Sequence, residues 1–268
     1  MKSIIRTIGN TALDLLYPPD LYCVCCGKII DSSRTYRLCN DCMDGIKWIG
    51  ERTCSKCGKR LAEINPMDTC FSCREHEHSY DRGYTCAEYG THERAMVYAL
   101  KYDSRPDIAD TIGEIMYDRM RAEFGRKLGY LYDLILPVPV SRRRKSRRGY
   151  NQAALIAEAF CRRAGLTCDD DILIRVRDTH AMRSLSPDQR RENILGAFEI
   201  RSRRREDISG KTLLLIDDIY TTGATSDEIA RILKEPWEDL TGEKQAGASR
   251  VDVLTFAAGA DMVKSSDS

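Results

Sequence analysis

The sequence predicts an α/β protein, a parallel sheet flanked by helices, with a small cysteine-rich unit in front of it. Cysteine placement is the first sign: ten of the twelve cysteines lie before residue 87 of 268. After that point short apolar runs alternate with helix-length amphipathic segments, as strands joined by crossover helices do. The length also suffices for one sizeable core plus a smaller module. The composition changes near Cys86, and we expect an N-terminal unit over 1–83 and a larger one over 84–268.

The elements follow in order. Ile4 to Leu16 reads as an amphipathic helix, because Arg6, Asn10 and Asp14 break its apolar runs too early for a signal peptide. Glu93 to Tyr102 and Asp107 to Phe124 have helical apolar spacing. Asp133 to Val140 reads as a strand stopped by Pro-Val-Pro, and Asn151 to Ala164 as a helix closed by Gly165. Asp171 to Val176 and Ala197 to Ile200 are expected strands of the same parallel sheet. Lys211 to Asp217 is short, apolar and bounded, as a buried parallel strand is. Ala224 to Lys234 reads as a helix and Arg250 to Ala257 as the last strand. Pro, Gly and charge mark Glu235 to Ser249 as a surface insertion, and the polar tail from Lys264 to Ser268 is expected to fray.

Charge is balanced, with 42 Lys+Arg against 41 Asp+Glu, so no global field draws the chain to nucleic acid or acidic lipid. No apolar run approaches the ~18 residues of a membrane span, so no membrane insertion and a cytoplasmic location are expected. In that reducing compartment the cysteines do not serve as a disulfide framework.

Eight of them form four Cys-x-x-Cys pairs, Cys23/Cys26, Cys39/Cys42, Cys54/Cys57 and Cys70/Cys73. Moving the first two pairs by 31 residues lays them on the last two, and Gly27-Lys28 then falls on Gly58-Lys59. This is an internal repeat. A two-residue spacer lets one tight turn offer both sulfurs to one metal, and two such knuckles complete a tetrahedral four-thiolate shell. The equal twelve-residue spacers favour pairing within each half. Two structural Zn2+ sites are expected, one on Cys23, Cys26, Cys39 and Cys42, the other on Cys54, Cys57, Cys70 and Cys73. Iron–sulfur ligation is the weaker option, as are His76 and His78 as replacement ligands. A closed four-thiolate shell leaves no position for catalytic water.

The segment KTLLLIDDIYTTGATSDE, Lys211 to Glu228, carries the chemistry. A buried strand runs into Asp217 and Asp218, and Thr221, Thr222, Gly223, Ala224 and Thr225 turn into a helix. A helix N-terminus offers free N–H donors and a positive dipole end, and small residues let an anion come close. Two acids just before such a cradle can accept bonds from sugar hydroxyls. The order suits a 5-phosphorylated ribose at the carboxyl edge of a parallel sheet.

This loop resembles the phosphoribosyl pyrophosphate (PRPP) loop of type I phosphoribosyltransferases. The double cysteine ribbon, Leu100-Lys101-Tyr102, Pro137-Val138-Pro139, Arg148 to Gln152 (Arg-Gly-Tyr-Asn-Gln), and Arg190 and Asn193 before Ala197-Phe198 resemble the ComF family of competence-associated proteins. The resemblance spans about residues 15 to 258. It implies a type I phosphoribosyltransferase sheet behind a double zinc ribbon, binding PRPP with Mg2+. Asp217 and Asp218 would be the catalytic acids, and Thr221 to Thr225 would hold the 5-phosphate. Val140, Ser141 and Arg142 would grip pyrophosphate, with Lys101 and Arg148 as further substrate contacts. Arg175 to Asn193 stands where the family carries a mobile loop, and Met182 replaces its usual Gln. The acceptor has no readable motif. The resemblance also implies a link to DNA uptake in natural transformation, with partners in that machinery, or to nucleotide metabolism. A non-catalytic module binding single-stranded DNA or protein is the alternative, its cations drawn from Arg142–Arg148 and Arg201–Arg205. Tyr150 is the aromatic the sequence sets beside such a run, and stacking aromatics are what strand binding needs.

Overall fold

The structure is a computed structural model that describes residues 21–179, 186–239 and 241–261. The expected helix Ile4 to Leu16, Met182 and the tail from Lys264 lie outside the described residues. In chain order the elements are α1 (Asn40–Gly45), α2 (Phe71–Glu75), β1 (Gly83–Glu88), α3 (Thr91–Tyr102), α4 (Ile108–Phe124), α5 (Leu128–Leu131), β2 (Leu134–Pro137), α6 (Arg142–Arg148), α7 (Gln152–Ala164), β3 (Leu173–Arg175), α8 (Pro187–Ile194), β4 (Phe198–Ile200), β5 (Thr212–Tyr220), α9 (Ala224–Lys234), β6 (Trp237–Glu238), β7 (Lys244–Gln245) and β8 (Arg250–Ala258).

The central sheet has the order β1-β8-β5-β2, and every pairing in it is parallel. Side chains alternate between its faces. Leu214 and Ile216 of β5 join Leu254 and Phe256 of β8 on one face, packed with Met96, Ile112, Met116 and Phe160 of α3, α4 and α7. Leu213 and Leu215 join Val251 and Val253 on the other, with Ile229, Ala230 and Leu233 of α9. Both faces are thus apolar, which is why β5 reads as a continuous hydrophobic run.

The two halves of the cysteine repeat take opposite faces of this sheet. Val24, Leu38 and Ile46 of the first half enter the core with α4. Leu61 and the cysteines of the second half enter the core with α9. Between them, residues 47–49 run antiparallel along the outer edge of β1. Ile49 N–H donates to Cys86 O at 2.9 Å, Glu88 N–H donates to Lys47 O at 2.8 Å, and Trp48 bridges Ala87. The exposed edge is thereby covered. Glu93, fully buried, accepts from the N–H groups of Lys47 (2.8 Å) and Gly90 (2.9 Å) and locks this strap to the start of α3.

Several expectations change. The strand Gly83–Glu88 had no forewarning: its run GYTCAE contains one β-branched residue and sits among cysteines. β3 and β4 leave the main sheet and pair antiparallel with each other. Each is only three residues long, and Phe198 and Ile200 are buried with α9 in the second core. The expected strand Asp133 to Val140 is cut to Leu134–Pro137 by its prolines. β5 runs on to Tyr220, so Asp217 and Asp218 lie within the strand rather than beyond it. The basic run Arg142–Arg148 is a helix, capped by Ser141 and closed by Gly149 at φ 84°. The insertion after Glu235 contains the hairpin β6–β7, its turn held by Asp239, whose carboxylate accepts from Thr241, Glu243 and Gln245.

The repeat supplies a matched test of docking. Gly27 and Gly58 both have φ of 74°, but a Cβ on Gly27 would meet nothing, whereas one on Gly58 would lie 2.6 Å from Gly83 O. Gly27→Ala is expected to cost about 1–2 kcal/mol from the left-handed backbone alone. Gly58→Ala should cost at least ~1 kcal/mol more, through the clash with β1. Urea unfolding of zinc-loaded protein measures both, and equal costs would contradict the docking.

Candidate functional site

Each half of the repeat closes on itself. The sulfurs of Cys23, Cys26, Cys39 and Cys42 lie within 4.8 Å of one another, and so do those of Cys54, Cys57, Cys70 and Cys73. A tetrahedral zinc with Zn–S bonds of about 2.3 Å needs sulfurs about 3.8 Å apart. Cys26 and Cys39 stand at 3.7 Å and Cys57 and Cys70 at 3.6 Å. Equivalent backbone donors point at equivalent sulfurs, Cys39 N–H to Cys23 (3.4 Å) and Cys70 N–H to Cys54 (3.3 Å). The donor set fits structural Zn2+ at both sites. Cys25 stays outside the four-sulfur cluster, its thiol donating instead to His92 O at 3.7 Å. His78 bonds Asp227 at 2.7 Å and stays out of the metal cluster.

The second half also grips the turn after β5. Lys59 is 6 % exposed, and its ammonium donates to Thr221 O at 2.9 Å and sits 5.3 Å over the Tyr220 ring. Its repeat partner Lys28 is exposed and pairs with Asp41 at 2.7 Å. The Tyr80 and Tyr220 hydroxyls are 2.8 Å apart. Asp227, in the first turn of α9, accepts from Ser79 N–H at 3.0 Å besides holding His78. Gly223 has φ 83°, and a Cβ there would lie 2.4 Å from the Tyr220 hydroxyl. Only glycine lets the turn close against this support.

In front of the turn lies a cleft of about 370 Å³ at the carboxyl ends of β2 and β5, where ligand sites of parallel sheets form. One wall is Thr221 to Thr225 with the N-terminus of α9; the floor is Asp217 and Asp218. The Thr222 hydroxyl oxygen is buried without a hydrogen-bond partner in the protein. Lys101, from the end of α3, reaches the floor and forms an ion pair with the Asp218 carboxylate. Burial, and then the charge of Asp218, hold the Asp217 carboxyl well above its ordinary value, against the opposing Lys101 ammonium. The facing wall carries Arg144 and Arg175. Burial, and then the nearby Arg144 guanidinium, bring Arg175 down to about 10.

The residues expected from sequence divide as follows. Lys101, Val140, Asp217, Asp218 and Thr221 to Thr225 line the cleft. Ser141 is buried and caps α6, its oxygen accepting from Arg144 N–H. Arg142 is exposed, and Arg148 bonds Gln152 at 2.8 Å; neither lines the cleft. Sequence reasoning missed Arg94, Tyr98 and Tyr102, which line it from α3. Their i, i+4, i+8 spacing was a readable signal of one shared helix face. The basic run Arg201–Arg205 is largely neutralised: Arg201 and Arg203 pair with Asp171 at 3.0 and 2.9 Å, and Arg204 pairs with Asp169 at 2.5 Å. Tyr150 is half-buried and donates to Leu100 O at 2.6 Å.

Purified protein is expected to bind two zinc ions per chain, in line with the two clusters. Cys23→Ser and Cys54→Ser should each lose one, and metal analysis finding no loss would refute the assignment. A second test concerns Asp217. Its folded-state pKa is raised, so the ionised carboxyl destabilises the fold, and stability falls as pH rises through that pKa. Asp217→Asn should raise Tm by about 2–4 °C per kcal/mol relieved at neutral pH. The gain should vanish in acid, where the wild-type carboxyl is protonated. A pH-independent difference would contradict the cause given.

Residues 12–74 match the sequence model of the double zinc ribbon domain. Competence protein F of Haemophilus influenzae is 29% identical over 198 residues, covering 74% of this chain and 84% of its own. The DNA utilization protein YhgH of Escherichia coli K12 is 27% identical over 199 residues, 73% of this chain and 83% of its own. Competence protein ComFC of Streptococcus pneumoniae is 28% identical over 247 residues, 88% of this chain and 98% of its own. The metal clusters, the ribbon match and these long alignments agree: the chain is a homologue of competence protein F, ComFC and YhgH, with a double zinc ribbon at its N-terminal end.

Proposed function

We propose that the cleft binds a 5-phosphoribosyl ligand, PRPP with Mg2+, and that the protein uses it in the handling of DNA taken up by the cell. The observation that carries the ligand reading is the Thr221–Thr225 turn, with its unpaired Thr222 hydroxyl, next to two acids. A 5-phosphate in the turn would accept from the free N–H groups of α9 and from Thr222. Ribose hydroxyls would donate to Asp217 and Asp218. Arg144 and Arg175 repel each other, and a pyrophosphate between them relieves that repulsion. Mg2+ carried with PRPP would supply further neutralisation of the pyrophosphate. Turnover at such a site rests on placement and on stabilising the leaving group. The relatives' names, competence and DNA utilization, support the DNA context. We place this work in the cytoplasm, where zinc thiolates stay reduced.

Calorimetry with Mg2+ and PRPP tests this. Binding is expected, and it should be lost in the double variant Asp217→Asn, Asp218→Asn. Thr222→Val should weaken binding about tenfold through the lost hydrogen bond to a charged group, without lowering Tm, because its hydroxyl bonds nothing in the free protein. No binding at millimolar PRPP would sink the proposal.

A further inference from the structure

The two cysteine clusters share one sequence pattern, yet the sheet treats them differently. Cys54 N–H donates to Lys59 O at 2.8 Å, so the Cys54–Cys57 knuckle itself fixes where Lys59 stands. From there the buried Lys59 ammonium donates to Thr221 O at 2.9 Å. His78, its side chain fully buried, holds Asp227 of α9 at 2.7 Å, and its ring edge lies 3.1 Å from where a Gly223 Cβ would be. A further tie comes from the other side of the turn. Asp261 accepts from the N–H groups of Ala62 (3.3 Å) and Phe71 (2.9 Å), the latter next to Cys70, and from the Asn65 amide at 3.0 Å. Gly259, two residues before Asp261, lines the cleft and donates to Tyr220 O at 3.1 Å. In the first half the matching bond, Cys23 N–H to Lys28 O at 2.8 Å, leads to an exposed ammonium paired with Asp41.

A ribbon of this size has little core, so metal binding is what folds it. Without metal at the second cluster, Lys59 and His78 lose their fixed places. The turn then regains backbone freedom that a ligand must remove, and ligand affinity falls with the fraction of chains holding the competent turn. We propose that the second cluster regulates the cleft: zinc on Cys54, Cys57, Cys70 and Cys73 and a phosphoribosyl ligand in the Thr221–Thr225 turn strengthen each other's binding through Lys59 and His78. The proposal rests on the ligand reading above and adds its control. Such coupling is reciprocal, so the factor that metal adds to ligand affinity is the factor that ligand adds to metal affinity. The first cluster packs with α4 on the opposite face of the sheet and stands outside this linkage. Burial differs in the same sense. Cys54, Cys57 and Cys70 are buried, whereas in the first cluster Cys26 is exposed and Cys39 half-buried. The second cluster and the turn thus belong to one packed unit.

Calorimetry with PRPP and Mg2+ on the full-length, zinc-loaded protein supplies the reference affinity. Cys23→Ser and Lys28→Met should leave it unchanged. Cys54→Ser should weaken it at least about fivefold. Lys59→Met keeps every cysteine, so it should keep both zinc ions and still weaken PRPP by a similar factor. It carries the test if Cys54→Ser fails to fold. The reciprocal arm reads zinc affinity by competition with a chelator. In Cys23→Ser protein, which retains the second cluster, saturating PRPP should tighten zinc by the factor that zinc adds to PRPP. In Cys54→Ser protein, which retains the first cluster, PRPP should change nothing, and this arm also corrects for zinc taken up by PRPP itself. Equal weakening by Cys23→Ser and Cys54→Ser, full PRPP affinity in Lys59→Met, or a second cluster whose zinc affinity ignores PRPP each overturns the coupling and leaves the ligand site standing. No PRPP binding to the zinc-loaded wild type overturns the ligand site and the coupling with it.

Discussion

The architecture depends on how one sheet edge is finished. β1 is an edge strand of a sheet that must be covered on both faces, and an edge strand with free N–H and C=O groups invites wrong pairing. Here the 47–49 strap takes the edge, and the two cysteine ribbons to either side of it take one face each. The ribbons have little core of their own, so each borrows apolar surface from the sheet. Gly83 makes the closest approach possible: a Cβ there would lie 2.8 Å from Cys57 O.

This arrangement also supports the turn that follows β5. A turn of small residues after a strand loses much backbone freedom on ordering. Lys59, Tyr80 and His78 hold Thr221, Tyr220 and Asp227 from behind, so that freedom is already lost in the free protein. Thr222, whose buried hydroxyl has no hydrogen-bond partner in the protein, lines the cleft together with Asp217 and Asp218, the latter paired with the Lys101 ammonium. The second cysteine cluster packs with Tyr80, Tyr220 and Ala224, two of which line the cleft.

Much of this was legible in the sequence because spacing and chemistry coincided. The cysteine pairs named their own partners, since a two-residue spacer and a twelve-residue interval leave little choice. The acids and threonines of β5 and its turn were legible because strand, acids, small residues and helix occur in one unbroken stretch. Residues that meet only through tertiary packing were not legible. Tyr102 and Arg148 lie on different helices, and nothing local tells that one ring lies beneath the other's guanidinium. β1 was hidden because Gly83 and Ala87 are small for the neighbours they must admit, not for strand propensity. The separation of β3 and β4 from the main sheet likewise reflects packing on α9 rather than pattern.

Lys28 and Lys59 began as equivalent positions of a repeat and ended in different worlds, one in water beside Asp41 and one sealed behind Thr221. The molecule thus carries its own control experiment. A property that belongs to the ribbon as a metal-binding unit should be present twice, once free and once docked. A property present in only the second copy belongs to the joint between ribbon and sheet, and it can be read within a single polypeptide without reference to any other.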